Sequence, residues 1–387
     1  MSSSNLIRLR GITWNHSRGL LPLLATAQRF SETHPEIEVA WEKRSLQEFA
    51  DFPVEKLAET FDLLVIDHPF IGYAARHGIF LPVDEGLDAD FLADQAQNSV
   101  GLSHRSYLYD GHQWALAIDA ATPVSAWRPD LLEKAQVSVP ETWDELLALA
   151  RRGLVAFPSI PVDSLMNFYM LCCALGDSPF AGEDAFVKTE TGAEALTMLR
   201  ELASLCSPEI FLWNPIATFE AMTARDDIAH CPFAFGYSNY ARPGYARSVL
   251  EFGDLCRISG TERARTTLGG TGLAISAGCR HRETAFQYAR YVASADCQRA
   301  LYVQNGGQPG HRSAWTDAEA NRITHNFFQD TLPALDRAYL RPRYSGYIDF
   351  QDRAGAPIHQ FLREGGSARA AIEELRRFFE QSKAKER

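Results

Sequence analysis

Polar side chains that could bind a small molecule follow three apolar segments near the start of the chain. They are Asn15, His16, Ser17, Arg18, Arg44, Asp67 and His68. Imidazole and carboxylate groups that are held together can donate and accept protons, so His16, Asp67 and His68 would suit acid–base chemistry. A guanidinium binds carboxylates through two hydrogen bonds, so Arg18 and Arg44 would suit a charged ligand. The residue types alone leave both kinds of site open.

The motifs of the common catalytic and metal sites are missing from the sequence. It contains no G-x-S-x-G, no G-x-x-x-x-G-K-[ST], no H-E-x-x-H and no C-x-x-C. Gly270-Thr271-Gly272 lacks the third glycine of a dinucleotide-binding turn. We therefore expect no catalytic residue, no metal and no cofactor, and we treat the polar loops as binding loops.

The segments that precede these loops have the pattern of buried strands. Residues 7–14, 37–41 and 62–66 are predominantly apolar, and residues 20–30 repeat apolar positions at helical spacing. Alternation of strand and helix predicts a parallel α/β sheet that is covered on both faces. Ligands of such sheets bind at the carboxyl ends of the strands. The loops at 15–19, 42–44 and 67–69 are therefore predicted to share one edge.

A second informative stretch runs from Leu268 to Ser313. Gly269, Gly270 and Gly272 lie beside the short apolar run 273–275, which predicts a buried strand that another chain segment approaches closely. A helical pattern from Glu283 to about residue 301 follows. It ends at Asn305-Gly306-Gly307, which is followed by Pro309.

Several stretches resemble the extracellular solute-binding proteins of ABC importers, in particular their large sugar-binding group. They are the glycine-edged strand with its Gly-Gly-x-Pro turn, the segment YLYDGHQWAL at 107–116 and PETWDEL at 140–146, where Thr142 and Glu145 also form a predicted capping box. The resemblance implies an α/β, two-lobed periplasmic-binding-protein-like fold of type II. Each lobe would be a sheet flanked by helices, and the chain would cross the hinge several times. The implied lobes are residues 1–118 with 268–315, and 119–267 with 316–387, with the ligand cleft between them.

The resemblance also implies binding residues beyond the first loops. The helix that begins after Pro158, the turn after the strand at 233–236 and the segment from Arg341 all match parts of the family that meet the ligand. The complete predicted ligand-binding set is Asn15, His16, Ser17, Arg18, Arg44, Asp67, His68, Asp119, Asp163, Ser164, Tyr237, Tyr240, Gly270, Thr271 and Tyr347. The tyrosines would cover apolar faces of the ligand.

Composition limits the partners and the compartment. The chain has 387 residues and a net charge of -11, which favours two lobes and argues against a nucleic-acid partner. No apolar run reaches the length of a membrane span. The first residues lack the pattern of a secretory signal, and an odd number of cysteines, seven, suits a reducing compartment. The family resemblance implies the periplasm, so a cytoplasmic location is the alternative.

These observations lead to one predicted function and two alternatives. The protein is predicted to be a monomer that binds a small polar solute, such as a sugar or polyol, by hinge closure. It would deliver that solute to an ABC permease and would not be an enzyme. The alternatives are a cytoplasmic sensor or carrier for an organic acid or other charged ligand, and an enzyme on the same scaffold.

Overall fold

The chain forms two compact units. The computed structural model describes residues 6–45, 54–182 and 186–384. Unit 1 comprises residues 1–121, 269–324 and 343–345, and unit 2 comprises residues 122–268, 325–342 and 346–387. The first boundary lies after residue 121, whereas 118 was predicted, and the second part of unit 1 ends at 324, whereas 315 was predicted. Asp119 therefore belongs to unit 1.

The described residues contain strands and helices that we number in chain order. The strands are β1 (Ile7–Trp14), β2 (Ile37–Arg44), β3 (Leu63–Ile66), β4 (Phe80–Leu81), β5 (Leu108–Tyr109), β6 (His112–Gln113), β7 (Leu116–Ala121), β8 (Pro123–Trp127), β9 (His230–Phe235), β10 (Glu251–Gly253) and β11 (Gly269–Ser276). The helices are α1 (Ser17–Thr33), α2 (Val54–Ala58), α3 (Ile71–Arg76), α4 (Ala89–Gln97), α5 (Ser103–Ser106), α6 (Pro129–Ala135), α7 (Trp143–Ala150), α8 (Pro161–Ala174), α9 (Thr189–Ser204), α10 (Pro215–Ala224), α11 (Arg282–Ala293), α12 (Ala295–Cys297), α13 (Arg312–Trp315), α14 (Ala318–Ile323), α15 (Phe327–Asp336), α16 (Tyr347–Glu364) and α17 (Ala368–Ala384).

Unit 1 is built on a sheet with the strand order β2-β1-β3-β11-β4, and β7 also pairs with β11. β1 runs parallel to β2 and β3, as predicted from the strand–helix alternation. β11 runs antiparallel to β3, β4 and β7, so the complete sheet is mixed, and the predicted parallel arrangement is confirmed for β1, β2 and β3. The reason is that the chain enters unit 1 from residue 268 at the carboxyl edge of the parallel strands, so β11 must run the opposite way.

Two positions near the start of β11 have room for glycine only. Gly270 has φ of +88°, and a Cβ there would lie 2.3 Å from the carbonyl oxygen of Asp119. A Cβ on Gly272 would lie 2.6 Å from the ring of Tyr107. Only glycine allows this backbone to pack so closely against β7 and against the Tyr107 ring. The predicted close approach of another chain segment is confirmed.

Unit 2 contains the antiparallel sheet β10-β8-β9 and a helical part in which α8 packs on α16. The pair of helices approaches closely at Gly355, where a Cβ would lie 2.4 Å from the carbonyl oxygen of Pro161. A group of aromatic rings fills the core next to them. The Phe180 ring lies 5.4 Å from the rings of both Phe350 and Phe379, in edge-on arrangements that aromatic pairs favour.

One predicted helix has different limits in the structure. The pattern from Glu283 does not continue to residue 301, because α11 ends at Ala293 and the side chain of Ser294 caps a new short helix by accepting a hydrogen bond from the Cys297 N–H. The last helix, α17, ends at Ala384, and Ser382 on its inner face is buried. In the parts of the chain that the structure describes, no helix is both long and apolar enough to span a membrane.

Candidate functional site

The predicted binding residues of unit 1 come together at one edge of its sheet. Trp14 pairs with Arg44 at the carboxyl ends of β1 and β2, and Gly272 of β11 pairs with Ile66 at the end of β3. Thr271 in turn pairs with Asp119 near the end of β7. The loops after β1, β2 and β3, the end of β7 and the start of β11 are therefore adjacent. We call this edge the polar edge; its predicted residues are Asn15, His16, Ser17, Arg18, Arg44, Asp67, His68, Asp119, Gly270 and Thr271.

His16 begins helix α1 and holds the loop after β1 in place. Its Nδ1 accepts a hydrogen bond from the Arg18 N–H at 3.0 Å, so it serves as the N-cap of α1. Burial, with a smaller contribution from the nearby Arg18 charge, lowers the pKa of His16 to about 4. The imidazole is therefore neutral at pH 7, with its proton on Nε2, since Nδ1 is the acceptor. Asn15 is exposed and Ser17 is half-buried.

Arg18 and Asp119 form an ion pair in the interior of unit 1. The Arg18 Nε donates to Asp119 Oδ2 at 2.8 Å, and Nη2 donates to Oδ1, so the contact is bidentate. Their side chains are only 4% and 0% exposed. Burial raises the pKa of Asp119, whereas the Arg18 charge and a hydrogen bond from the Thr271 N–H oppose the rise. Because a guanidinium retains its proton, the two-point contact favours the ionised carboxylate.

Asp67 and His68 follow β3 and form a short turn of 3-10 helix. The Asp67 Oδ1 accepts from the His68 N–H at 2.8 Å, which is the capping role of an aspartate before a helix. Asp67 is half-buried, whereas His68 is fully buried with its ring edge-on to Tyr107 at 6.4 Å. The Tyr107 hydroxyl donates to the carbonyl oxygen of Ile66 at 3.2 Å. Tyr107 thus holds the end of β3 and the His68 ring in place. It was not among the predicted site residues.

The predicted residues of unit 2 lie in three places. Asp163 and Ser164 are in the first turn of α8, which follows an extended segment that runs parallel to β9 through the Val155–His230 bridge. The Ser164 hydroxyl donates to the carbonyl oxygen of Ser159 at 2.9 Å and so ties the helix start to that segment. The other predicted residues of this unit are tyrosines that follow β9 or begin α16.

Asp163 is an unusual side chain in this first turn. It is 6% exposed, and its Oδ2 has no hydrogen-bond partner among the described residues. Burial alone raises the pKa of Asp163 to about 8, so the carboxyl is protonated at neutral pH. It is then a hydrogen-bond donor rather than an anion.

The three predicted tyrosines of unit 2 are buried. Tyr237 is 6% exposed, and Tyr240 is fully buried and donates to Glu220 Oε1 at 2.7 Å. Tyr347 is fully buried in the aromatic core of unit 2, where its hydroxyl lies 3.4 Å from that of Tyr169. Aromatic residues of this kind serve the core as readily as a ligand. Ligand contact by these tyrosines stays a prediction.

The described residues contain no group of three or more His, Cys, Asp or Glu side chains arranged to hold a metal ion. Beside the Arg44 guanidinium and the Arg18–Asp119 pair, the polar edge contains the Asp67 carboxylate, the neutral His16 imidazole, and the Asn15 and Ser17 side chains. Such groups can fix the orientation of a small polar molecule.

Comparison with known proteins assigns the family. The model of the family described as "Bacterial extracellular solute-binding protein" matches residues 25–327, well over half of the chain. The chain belongs to the bacterial extracellular solute-binding proteins. Members of this family are binding proteins, and the predicted family resemblance is confirmed.

Solved structures confirm the fold class. A maltose-bound T. maritima MalE3 is 18% identical and has a TM-score of 0.84, with 96% of this chain and 98% of that chain covered. A solute-binding protein from Agrobacterium radiobacter K84 in complex with ribitol is 18% identical at TM-score 0.80, with 96% and 97% covered. One from Agrobacterium vitis S4 with bound D-mannitol is 15% identical at TM-score 0.77, with 98% of both chains covered. The predicted α/β fold of the maltose-binding type is therefore correct.

Proposed function

We propose that this solute-binding protein binds an uncharged, hydroxyl-rich molecule, a sugar or a polyol, as the substrate-binding component of an ABC importer. The family assignment supports solute binding. Structural relatives with bound maltose, ribitol and D-mannitol support the class of ligand. The observation that carries the choice is the buried Arg18–Asp119 pair.

This pair decides between an uncharged ligand and a carboxylate. The sequence leaves an anionic ligand open because His16, Arg18 and Arg44 are positioned near the polar edge. In the structure, Asp119 accepts hydrogen bonds from the Nε and Nη2 of the Arg18 guanidinium, and His16 is neutral at pH 7. His16 therefore lacks the positive charge that would attract a carboxylate, and Arg18 already binds a carboxylate of the protein through two hydrogen bonds. Hydroxyl groups, which both donate and accept hydrogen bonds, match the remaining groups.

The half-buried Asp67 is the main ligand residue in this proposal. Its Oδ1 is engaged by the His68 N–H, which fixes the side chain, and an ionised carboxylate accepts several hydrogen bonds at once. Asn15 and Ser17 would add weaker contacts from the neighbouring loop. The predicted closure of two lobes on the ligand stays a prediction.

The test uses ligand that the protein retains from its host. Purified protein is denatured, and the released small molecules are identified by mass spectrometry; a thermal-shift series with maltose, ribitol, D-mannitol, succinate and citrate follows. The proposal expects a sugar or polyol to be released and to raise the melting temperature, because a ligand that binds only the folded state stabilises it. Asp67→Asn should weaken the shift without lowering the melting temperature of the free protein. A shift caused only by succinate or citrate would refute the proposal.

The partner and the compartment belong to the same proposal. We expect the protein to act in the periplasm as a monomer and to deliver its ligand to a membrane permease. The seven cysteines, all of which are free thiols in the structure, favour a cytoplasmic carrier as the second candidate. Fractionation of the host with an antibody against the protein separates the two. A cytoplasmic pool alone would contradict the importer role and leave sugar binding intact.

We further propose that the ligand leaves the protein chemically unchanged. His16 lacks a charge at neutral pH, and His68 is fully buried, so neither is arranged as a general acid. Recovery of intact ligand after prolonged incubation with the protein would support this view. Formation of a product that depends on the protein would contradict it.

A further inference from the structure

One carboxylate of unit 1 holds the second strand of the hairpin β5–β6. The Asp84 Oδ1 accepts a hydrogen bond from the Gln113 N–H at 2.8 Å, and its Oδ2 lies 2.9 Å from the His112 Nδ1. Asp84 belongs to a short 3-10 turn whose first residue, Val83, is fully buried. The turn is therefore anchored in the interior of the unit, and Asp84 binds two consecutive residues of β6.

The strength of this contact depends on the charge of His112. The hydrogen bond to Asp84 and the Asp84 charge, with smaller contributions from Glu85 and Asp110, raise the pKa of His112 above its ordinary value of 6.5. The imidazolium adds a charge attraction to the contact, whereas the neutral ring keeps only a hydrogen bond. Because the pKa is raised in the folded chain, the attraction is fully present below pH 6.5 and is lost as the pH rises through the folded-state pKa.

The first strand of the hairpin is held by a group that does not titrate. The Arg343 Nη1 donates to the carbonyl oxygen of Leu108 at 2.6 Å, and a guanidinium keeps its charge at every pH at which the protein is folded. Leu108 of β5 pairs with Gln113 of β6. A change in pH therefore loosens the hairpin on its β6 side and leaves the β5 side attached.

The base of the hairpin leads to the polar edge. The Trp114 N–H donates to the carbonyl oxygen of Tyr107 at 2.9 Å and closes the hairpin. The Tyr107 hydroxyl donates to the carbonyl oxygen of Ile66 at 3.2 Å, and Ile66 directly precedes Asp67. Asp67 is the main ligand residue of the proposed function. The order of the hairpin therefore determines how firmly Tyr107 holds the backbone beside Asp67.

We propose that Asp84 is a positioning residue of the polar edge and that its contact with His112 makes ligand affinity depend on pH. The effect on the ligand rests on the proposed function. In mild acid, the charged His112 ring holds β6 on Asp84, and Tyr107 keeps Asp67 in its binding position. In mild alkali the contact weakens, the hairpin opens more often, and the affinity falls.

The first measurement is hydrogen exchange of the hairpin in protein without ligand. Mass spectrometry follows the amides of residues 107–114 at pH 5.5 and pH 9, with each rate corrected for the intrinsic exchange rate at that pH. Wild-type protection should fall about threefold between the two, because an exposed ion pair contributes modestly. His112→Asn, which keeps an N–H donor and cannot take up a proton, should show no such fall. The control is His325→Asn, an exposed histidine of unit 2 at a left-handed position that asparagine tolerates, and it should behave as the wild type.

The second measurement is titration calorimetry with whichever of maltose, ribitol and D-mannitol the wild type binds. The dissociation constant of His112→Asn, divided by that of the wild type, should be about three at pH 5.5 and about one at pH 9. This ratio cancels every other group that titrates in both proteins. Asp84→Asn keeps an oxygen for the Gln113 N–H but lacks the charge, so it should give the same two ratios as His112→Asn.

The outcomes separate this inference from the proposed function. Wild-type protection of the hairpin that is equal at both pH values, or that falls equally in His112→Asn, would overturn the inference. A ratio of one at both pH values, with a probe that the wild type binds, would overturn the positioning role of Asp84. Failure of the wild type to bind any of the three probes would overturn the proposed function, and the effect on affinity with it.

Discussion

Breaking the Arg18–Asp119 pair should be far more damaging than breaking an exposed ion pair. Arg18→Met removes the guanidinium and leaves the Asp119 carboxylate buried in an interior where its side chain is 0% exposed. The loss of one partner of a buried pair costs about 3–5 kcal/mol, because the remaining charge is uncompensated. For a unit of this size, each kcal/mol lowers the melting temperature by about 2–4 °C, so we expect a fall of about 6–20 °C.

The assay is urea unfolding at pH 7, followed by circular dichroism and repeated for four proteins. They are the wild type, Arg18→Met, the double variant Arg18→Met/Asp119→Leu and the control Arg8→Met. Arg8 pairs with Glu38 at the surface, where the side chains are 70% and 45% exposed, so its replacement should cost less than about 1 kcal/mol. The double variant should recover most of the stability, since two apolar side chains replace both charges.

Two results would refute this reasoning. One is an Arg18→Met protein whose free energy of unfolding lies within about 1 kcal/mol of the wild type. The other is a double variant that is less stable than the single variant, which would mean that the site requires charge in place of packing. Either result would also remove the argument that Asp119 neutralises Arg18 and so disfavours an anionic ligand.

Three further predictions concern titration and thiol chemistry. His16 takes up a proton near pH 6.5 in the unfolded chain but only near pH 4 in the folded chain. The free energy of unfolding should therefore fall by up to about 3 kcal/mol as the pH drops across this window. In acid unfolding curves the free energy of unfolding of His16→Asn, which keeps a capping oxygen, should fall less than that of the wild type. The Asp163 carboxyl keeps its proton up to about pH 8 in the folded chain but loses it near pH 3.8 in the unfolded chain, so the free energy of unfolding should decline as the pH rises between these values. At pH 8, Asp163→Asn should be more stable than the wild type by up to about 5 kcal/mol. A urea midpoint equal to that of the wild type at pH 8 would contradict this. All seven cysteines should react with a thiol reagent after unfolding and only slowly before it, because five are buried and two half-buried; fewer than seven reactive thiols in the unfolded protein would contradict the free state.

Local patterns predicted the elements that depend on nearby residues. The bounds of β1 agree residue for residue, and the Thr142–Glu145 capping box is present as expected. The convergence of the loops after β1 and β3 followed from a general rule for parallel strands. In each case the residues that form the pattern and the residues that form the structure belong to one element or to one strand–helix repeat. The spacing of side chains along the sequence is then enough to predict the structure.

Contacts between distant parts of the chain were beyond such patterns. Arg18 and Asp119 are 101 residues apart, so the sequence suggested two ligand contacts where the structure has one ion pair. The direction of β11 depends on where the chain re-enters unit 1, which local periodicity does not reveal. The burial of Tyr347 depends on its packing against Tyr169, which is 178 residues away. The contact of the Tyr107 ring with Gly272, 165 residues away, is likewise absent from any local pattern.

The most direct test of the central claim is isothermal titration of the purified protein, freed of endogenous ligand, with matched pairs of solutes. D-Mannitol and ribitol are compared with succinate and citrate at pH 7 and at low ionic strength. A polar edge whose Arg18 is neutralised by Asp119 and whose His16 is uncharged predicts measurable binding of an uncharged polyol or sugar and none of the carboxylates. Tight binding of a carboxylate with no binding of any sugar or polyol would contradict the account.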